Sequence, residues 1–136
     1  MPLNEKLTNL GANTQIDALS ALIDGGFMDI YDGIQPSDAD TPIGSQVLLA
    51  SLGLSNPAFV PGVGGVALAN AIAPDASADA TGTATWYRIY RGDHITPVMD
   101  GSVGTVDANL ILTSVSVQAG ASVSVESWSL TARKTG

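Results

Sequence analysis

Cysteine is absent from this 136-residue chain, which removes disulfide staples, thiolate metal ligands and thiol nucleophiles together and leaves the core to apolar packing. Histidine occurs once, as His94, so any imidazole-based acid, base or metal site rests on that residue alone. Lysine stands only at Lys6 and Lys134, near the two ends. Interfaces are poor in Lys because its ammonium group is costly to desolvate, and drift in an Ala-, Ser-, Thr- and Gly-rich chain gives the same scarcity; both readings stay open. No run approaches the roughly 18 apolar residues that a spanning helix needs. The start Met1-Pro2-Leu3-Asn4-Glu5-Lys6 has no basic region followed by an apolar stretch, so neither a signal peptide nor a membrane anchor is expected.

The thirteen acids are Asp throughout except Glu5 and Glu126. Asp bonds local backbone in turns whereas Glu favours helices, so this usage predicts strands and loops. The formal net charge of -8 repels phosphate, and no nucleic-acid partner is expected. A chain of this length buries about two-thirds of its unfolded surface as one domain, enough for a sizeable core.

Ile16, Leu19, Leu22 and Ile23 recur as one face of a helix, with Asn13 or Thr14 to cap its start and Gly25-Gly26 to end it. Leu3, Leu7 and Leu10 form a shorter stripe before Gly11, giving either one interrupted helix or an arm followed by a helix. From Phe27 the apolar period becomes two and the segments are bounded by Gly, Pro and Asp, as in a sandwich or barrel. Strands are predicted within Phe27–Tyr31, Val47–Ser55, Val66–Ile72, Thr83–Tyr90, Ile95–Asp100, Leu110–Val117 and Val123–Thr131. In the last, the apolar phase moves from Val123 and Val125 to Trp128 and Leu130, which predicts a bulge near Glu126 or Ser127. The fold class expected is mainly β, an antiparallel β-sandwich or jelly-roll-like domain with one N-terminal α-helix. Residues 1–26 are its arm and helix and residues 27–136 its sandwich, in one compact domain.

Catalytic chemistry is hard to assemble from these residues. His94 follows Asp93 at a predicted hairpin tip, where no dry pocket or orienting partner is expected, and it reads as a turn residue. Asp32, Asp38 and Asp40 are hard oxygen ligands on one loop, but their spacing departs from the calcium loop and they read as turn acids. Arg91-Gly92-Asp93 spells the integrin-read tripeptide, and its three residues are common turn formers. Gly62, Gly64 and Gly65 lack the Lys and helix start of a phosphate loop. Neither a catalytic residue, a cofactor, a metal nor a small-molecule substrate is expected.

In Thr83–Tyr90, Thr85, Tyr87 and Ile89 alternate with Trp86, Arg88 and Tyr90. The first set suits a core. The second puts Arg88 between two aromatic rings, on an outer face or in a second core layer. Leu3, Leu7 and Leu10, with Trp86, Arg88 and Tyr90, are the candidate contact residues.

The stretch "IYDGIQPSDADTPIGSQVLLASLGLSNPAF", followed by "GGVALANAIAPDASADATGTATWYRIY" and "VMDGSVG", resembles a family of small tailed-bacteriophage virion structural proteins. The likeness runs from Ile16 to the end, and its motifs are turns and strands. It implies a capsid decoration or cement protein that clamps neighbouring capsid subunits, with the major capsid protein and copies of itself, as in a homotrimer, for partners. Made in the host cytoplasm, such a protein belongs on the outer surface of the head; a tail- or fibre-associated receptor-binding module is the alternative.

Overall fold

The structure is a computed structural model that describes residues 6–132. It is mainly β, with one helix near the N-terminus and a seven-stranded sheet curled into a half-barrel. No helix among the described residues is long and apolar enough to cross a membrane.

Helix α1 spans Asn9–Ile23 and starts earlier than its apolar stripe, because Thr8 is the cap: its Oγ1 accepts the Gly11 amide at 3.1 Å. Leu10 therefore lies in the first helical turn, where it is 77% exposed. Ala12, Ile16, Ser20 and Ile23 form the buried line, at spacings of four, four and three. Leu22, expected in that line, falls outside it and is exposed.

The strands are β1 (Phe27–Tyr31), β2 (Leu48–Gly53), β3 (Val66–Leu68), β4 (Gly82–Thr83), β5 (Trp86–Tyr90), β6 (Pro97–Gly104), β7 (Leu110–Leu112), β8 (Ser116–Val117) and β9 (Val125–Thr131). The large sheet has the order β2-β1-β5-β6-β7-β9-β3, and β4 pairs with β8 in a small second sheet. Every pair is antiparallel except β6–β7, in which Val103 and Gly104 pair with Leu110 and Ile111. That parallel contact involves only the strand ends, so the short connection suffices; Asn109 folds it back by accepting the Ser102 amide and hydroxyl at 3.0 and 3.1 Å.

Three bulges interrupt the strand pairing, and those in β2 and β9 set which side chains reach the core. In β2, Ile30 pairs with Ala50 and Tyr31 with Leu48, so Leu49 is the extra residue and is buried beside Ala50 and Leu52. In β9, Ile111 pairs with Ser127 and Leu112 with Val125. Glu126 is therefore the extra residue, where the phase change had placed it.

The core face carries Met28, Ile30, Leu52, Tyr87, Ile89, Leu110, Trp128 and Leu130, with Ile16 and Ile23 from α1, which packs on β3. Strand β6 runs through Gly101 rather than ending there, because this glycine lies beneath the Tyr87 ring and an added Cβ would collide with it. The Tyr87 hydroxyl in turn accepts the Trp128 indole N–H at 3.0 Å. At the β2 edge, Ala73 and Asp79 donate to Gly53 and Leu49, while the Asp75 carboxylate accepts the Ser51 amide at 3.0 Å. The otherwise open edge is thus occupied by the chain itself, which guards it from edge-to-edge pairing.

Candidate functional site

Strands β1 and β5 each place one charge in the middle of an apolar run, Asp29 in FMDIY and Arg88 in WYRIY. Antiparallel pairing brings the two opposite each other, with Ser51 on the far side of Asp29 and Asp100 on the far side of Arg88. A polar row, Ser51–Asp29–Arg88–Asp100, therefore crosses four strands on the face opposite the main core. Arg88 takes Asp100 in a two-bond fork at 2.7 and 2.9 Å. These bonds hold its guanidinium charge more firmly than usual, against the opposing effect of burial. Asp29 accepts the Ser51 hydroxyl at 2.6 Å, and His94 Nε2 lies 2.9 and 3.0 Å from its two oxygens.

Aromatic rings flank this row. Tyr31 stacks on Trp86 at 4.8 Å between centroids, and the Trp86 indole N–H donates to the Asp32 carbonyl at 3.0 Å. Arg88 lies 5.4 Å from the centre of the Trp86 ring. Burial pushes the Tyr31 phenol well above its ordinary value, and the neighbouring Tyr90 phenol adds to the shift. On the other flank the His94 ring stacks on Phe27 at 4.2 Å and meets Tyr90 edge-on at 5.6 Å.

This arrangement corrects the expectation of an outward contact face. Trp86 is fully buried, Arg88 is 2% exposed and Tyr90 is half-buried. The contacts with Tyr31, Asp32 and Asp100 turn the set into a second packed layer. Of the other candidates, Leu10 is exposed, Leu7 half-buried, and Leu3 lies outside the described residues.

His94 also departs from expectation, because it has an orienting carboxylate 65 residues away. The backbone at His94 is left-handed, with φ 57°, and that conformation swings the ring back over β1. The arrangement is not the relay of a hydrolytic triad: Ser51 donates to Asp29 rather than to the imidazole, so the histidine is not placed to take the serine proton. The contacts fasten the tip instead.

The rest of the tip is held from within. The Asp93 carboxylate accepts the Thr96 hydroxyl at 2.6 Å and the Ile95 and Thr96 amides at 2.9 Å. These bonds, the Thr96 hydroxyl first, lower its pKa to about 2. Within Arg91-Gly92-Asp93 the acid is therefore committed to its own turn, while Arg91 and Ile95 project outward. Of the loop acids, Asp32 accepts the Val47 amide at 2.6 Å, and Asp38 accepts the Asp40 amide and the Thr41 hydroxyl at 3.1 and 2.9 Å. Among the described residues no three His, Asp or Glu side chains gather where a metal ion would fit. Every buried side-chain nitrogen and oxygen among them has a hydrogen-bond partner.

A different surface stands out at the opposite edge of the sheet. Val66 and Leu68 point outward from β3, and the segment before it folds alongside: Val63 bridges to Val66, and the Val60 amide donates to the Leu68 carbonyl at 3.0 Å. The four side chains form one patch, with Val63 79% and Leu68 62% exposed. Beside it on the helix side, the exposed Asp17 and the half-buried Asp24 accept the Gly62 and Ala58 amides at 3.0 and 2.7 Å. A cleft of about 220 Å³ between α1 and Pro57, Phe59 and Pro61 adjoins the patch at Val60. The sequence holds no charged residue between Asp40 and Asp75, a gap that could have pointed to this edge. No protein family, curated protein or solved structure matches the chain.

Proposed function

We infer that this domain is a virion structural protein of a tailed bacteriophage, most specifically a capsid decoration or cement protein that binds and stabilises neighbouring capsid subunits. The observation that carries the reading is the uncharged apolar patch at β3 on an otherwise acidic domain, since contiguous exposed apolar surface on a soluble-type fold marks contact with another protein. The sequence likeness to phage virion components supports it from a separate direction. So does the charge of -8, which suits the outer shell better than a surface facing packaged DNA.

Within this reading the buried polar row acts as scaffold: Arg88 is bonded to Asp100 and Asp29 to Ser51 and His94, so the sheet keeps one shape when partners press on its edge. Co-sedimentation with undecorated capsids tests the proposal. Saturable binding that raises the temperature of capsid disruption is expected, and a chain that stays in the supernatant at every concentration contradicts it.

The second reading, a receptor-binding module on a tail or fibre, draws on the stiff Arg91–Thr96 tip that presents Arg91 and Ile95. Binding to host cells that is lost with Ile95→Asp, with capsid stability unaffected, would favour it.

A further inference from the structure

We propose that the gap between β6 and β9 binds an extended peptide segment whose apolar and hydroxyl side chains alternate. Strand β7 separates β6 from β9, but only over Leu110–Leu112. Its ladders stop at Val103 on the β6 side and at Trp128 on the β9 side. Past those residues β6 runs back through Asp100 to Met99 and β9 runs on through Ser129 to Thr131, with no described strand between them. The space left is a cleft of about 280 Å³, with Tyr87, Met99, Asp100, Ser129, Leu130 and Thr131 among its walls.

The backbone on both sides is aimed into this cleft. The Val103 amide donates to the Thr85 carbonyl, whereas the Ser102 amide turns the other way, to the Asn109 side chain. Alternation along the strand therefore points the Asp100 N–H and C=O away from β5. On β9 the Trp128 carbonyl accepts the Ala69 amide and the Ala132 amide donates to the Gly65 carbonyl, both toward β3. Thr131 falls out of phase with these and points its groups away from β3. Neither Asp100 nor Thr131 has a backbone partner on that side among the described residues. Another extended chain is the ligand that offers alternating donors and acceptors to two strand edges at once.

The walls also set the side chains such a segment carries. Tyr87, Met99 and Leu130 lie toward the main core. Asp100, Ser129 and Thr131 lie on the other face, and the Asp100 carboxylate is already taken by Arg88. A segment in line with β7 continues its alternation of buried Leu110 and Leu112 with half-buried Ile111, so one set of side chains meets Tyr87 and the other meets the hydroxyls. The net charge of -8 disfavours acids in the segment. This site lies across β9 from the β3 patch, and it stands whether or not the domain belongs to a virion.

The probe is a blocked peptide of alternating Thr and Val, about five residues long, with a Lys at each end for solubility. It is titrated into the full chain while amide hydrogen exchange is followed by NMR. Saturable binding is expected, with the Asp100 and Thr131 amides slowed in exchange and the Gly101 amide, which faces β5, unchanged. The same peptide with alternate amides N-methylated, so that one edge loses its donors, is expected to bind at least tenfold more weakly. Thr131→Pro, which removes one N–H of the cleft, is expected to weaken binding similarly, and Thr131→Val, which keeps it, to leave binding unchanged. Thermal melts show that both variants fold, and the methylated peptide makes the same test on the unaltered protein. The inference is overturned by a chain that binds no peptide saturably, by equal binding of the methylated peptide, or by protection that appears at the Leu68 edge instead of at Asp100 and Thr131.

Discussion

Arg88 and Asp100 meet across β5 and β6 with both bonds of the guanidinium–carboxylate fork made, and their side chains are 3% and 5% exposed. Truncating one partner strands the other as a buried charge. Arg88→Ala and Asp100→Ala are each expected to cost about 3–5 kcal/mol of stability, while Arg88→Met with Asp100→Leu together cost far less. Urea unfolding of the singles and the double as a mutant cycle checks this. Singles that unfold at the parent concentration would contradict the proposed scaffold role.

The hydrogen bond from Trp128 to Tyr87 is the polar contact inside the main core. Tyr87→Phe leaves the indole N–H buried with no acceptor, and about 1–3 kcal/mol of destabilisation is expected. Gly101→Ala drives a methyl group into the same tyrosine ring and should cost a similar amount by overpacking, about 1–3 kcal/mol. Thermal melts followed by tryptophan fluorescence read both. In the double variant the two costs should not add, because both act through one side chain.

How much of this was legible in the sequence differs between the two faces of the sheet. The core face followed from period-two alternation: Tyr87 and Ile89 were assigned inward, and the phase change near Glu126 marked a real bulge. The second face was not legible, because Trp86, Arg88 and Tyr90 alternate correctly whether that face meets water or a second layer. Which one holds depends on Tyr31 and Asp100, partners that only strand pairing brings into register. The pair Asp29 and His94 was hidden for a related reason, since the left-handed backbone at His94 reverses the direction a tip side chain would ordinarily take. One signal was present and unused: a single charge centred in each of two apolar strands, FMDIY and WYRIY. The helix start was misplaced because Thr8 caps a first turn whose residues are largely exposed, so no apolar stripe announces it.

Alkaline pH should destabilise the domain through Tyr87 together with Tyr31, since burial raises both phenols. Burial pushes the Tyr87 phenol up to about 12 in the fold, against an ordinary value near 10. The fold favours the neutral phenol, so this contribution is fully present below about pH 10 and is lost as pH rises toward about 12. Stability measured across that window should fall, and it should fall less steeply in Tyr87→Phe. Equal slopes would show that Tyr87 makes no contribution of its own.

Asp93 gives the opposite sign at the acid end. Its carboxyl is lowered from 3.8 to about 2 by bonds from Thr96 and Ile95. The ordering it gives the tip is therefore present above about 3.8 and is lost as pH falls toward about 2. Carboxylate NMR titration should place the Asp93 midpoint well below the ordinary carboxylate range. Thr96→Val, which removes the hydroxyl donor, should bring the Asp93 midpoint up toward the ordinary range.

Docking of this acidic, internally bonded β domain onto a phage particle is a proposal. Electron cryomicroscopy of intact particles, with the half-barrel fitted to the density, tests it most directly. The domain is expected on the outer surface of the head, with the Val63 and Leu68 edge against a capsid subunit. Particles that lack the chain altogether, or that hold it as isolated copies against the packaged DNA, would contradict it.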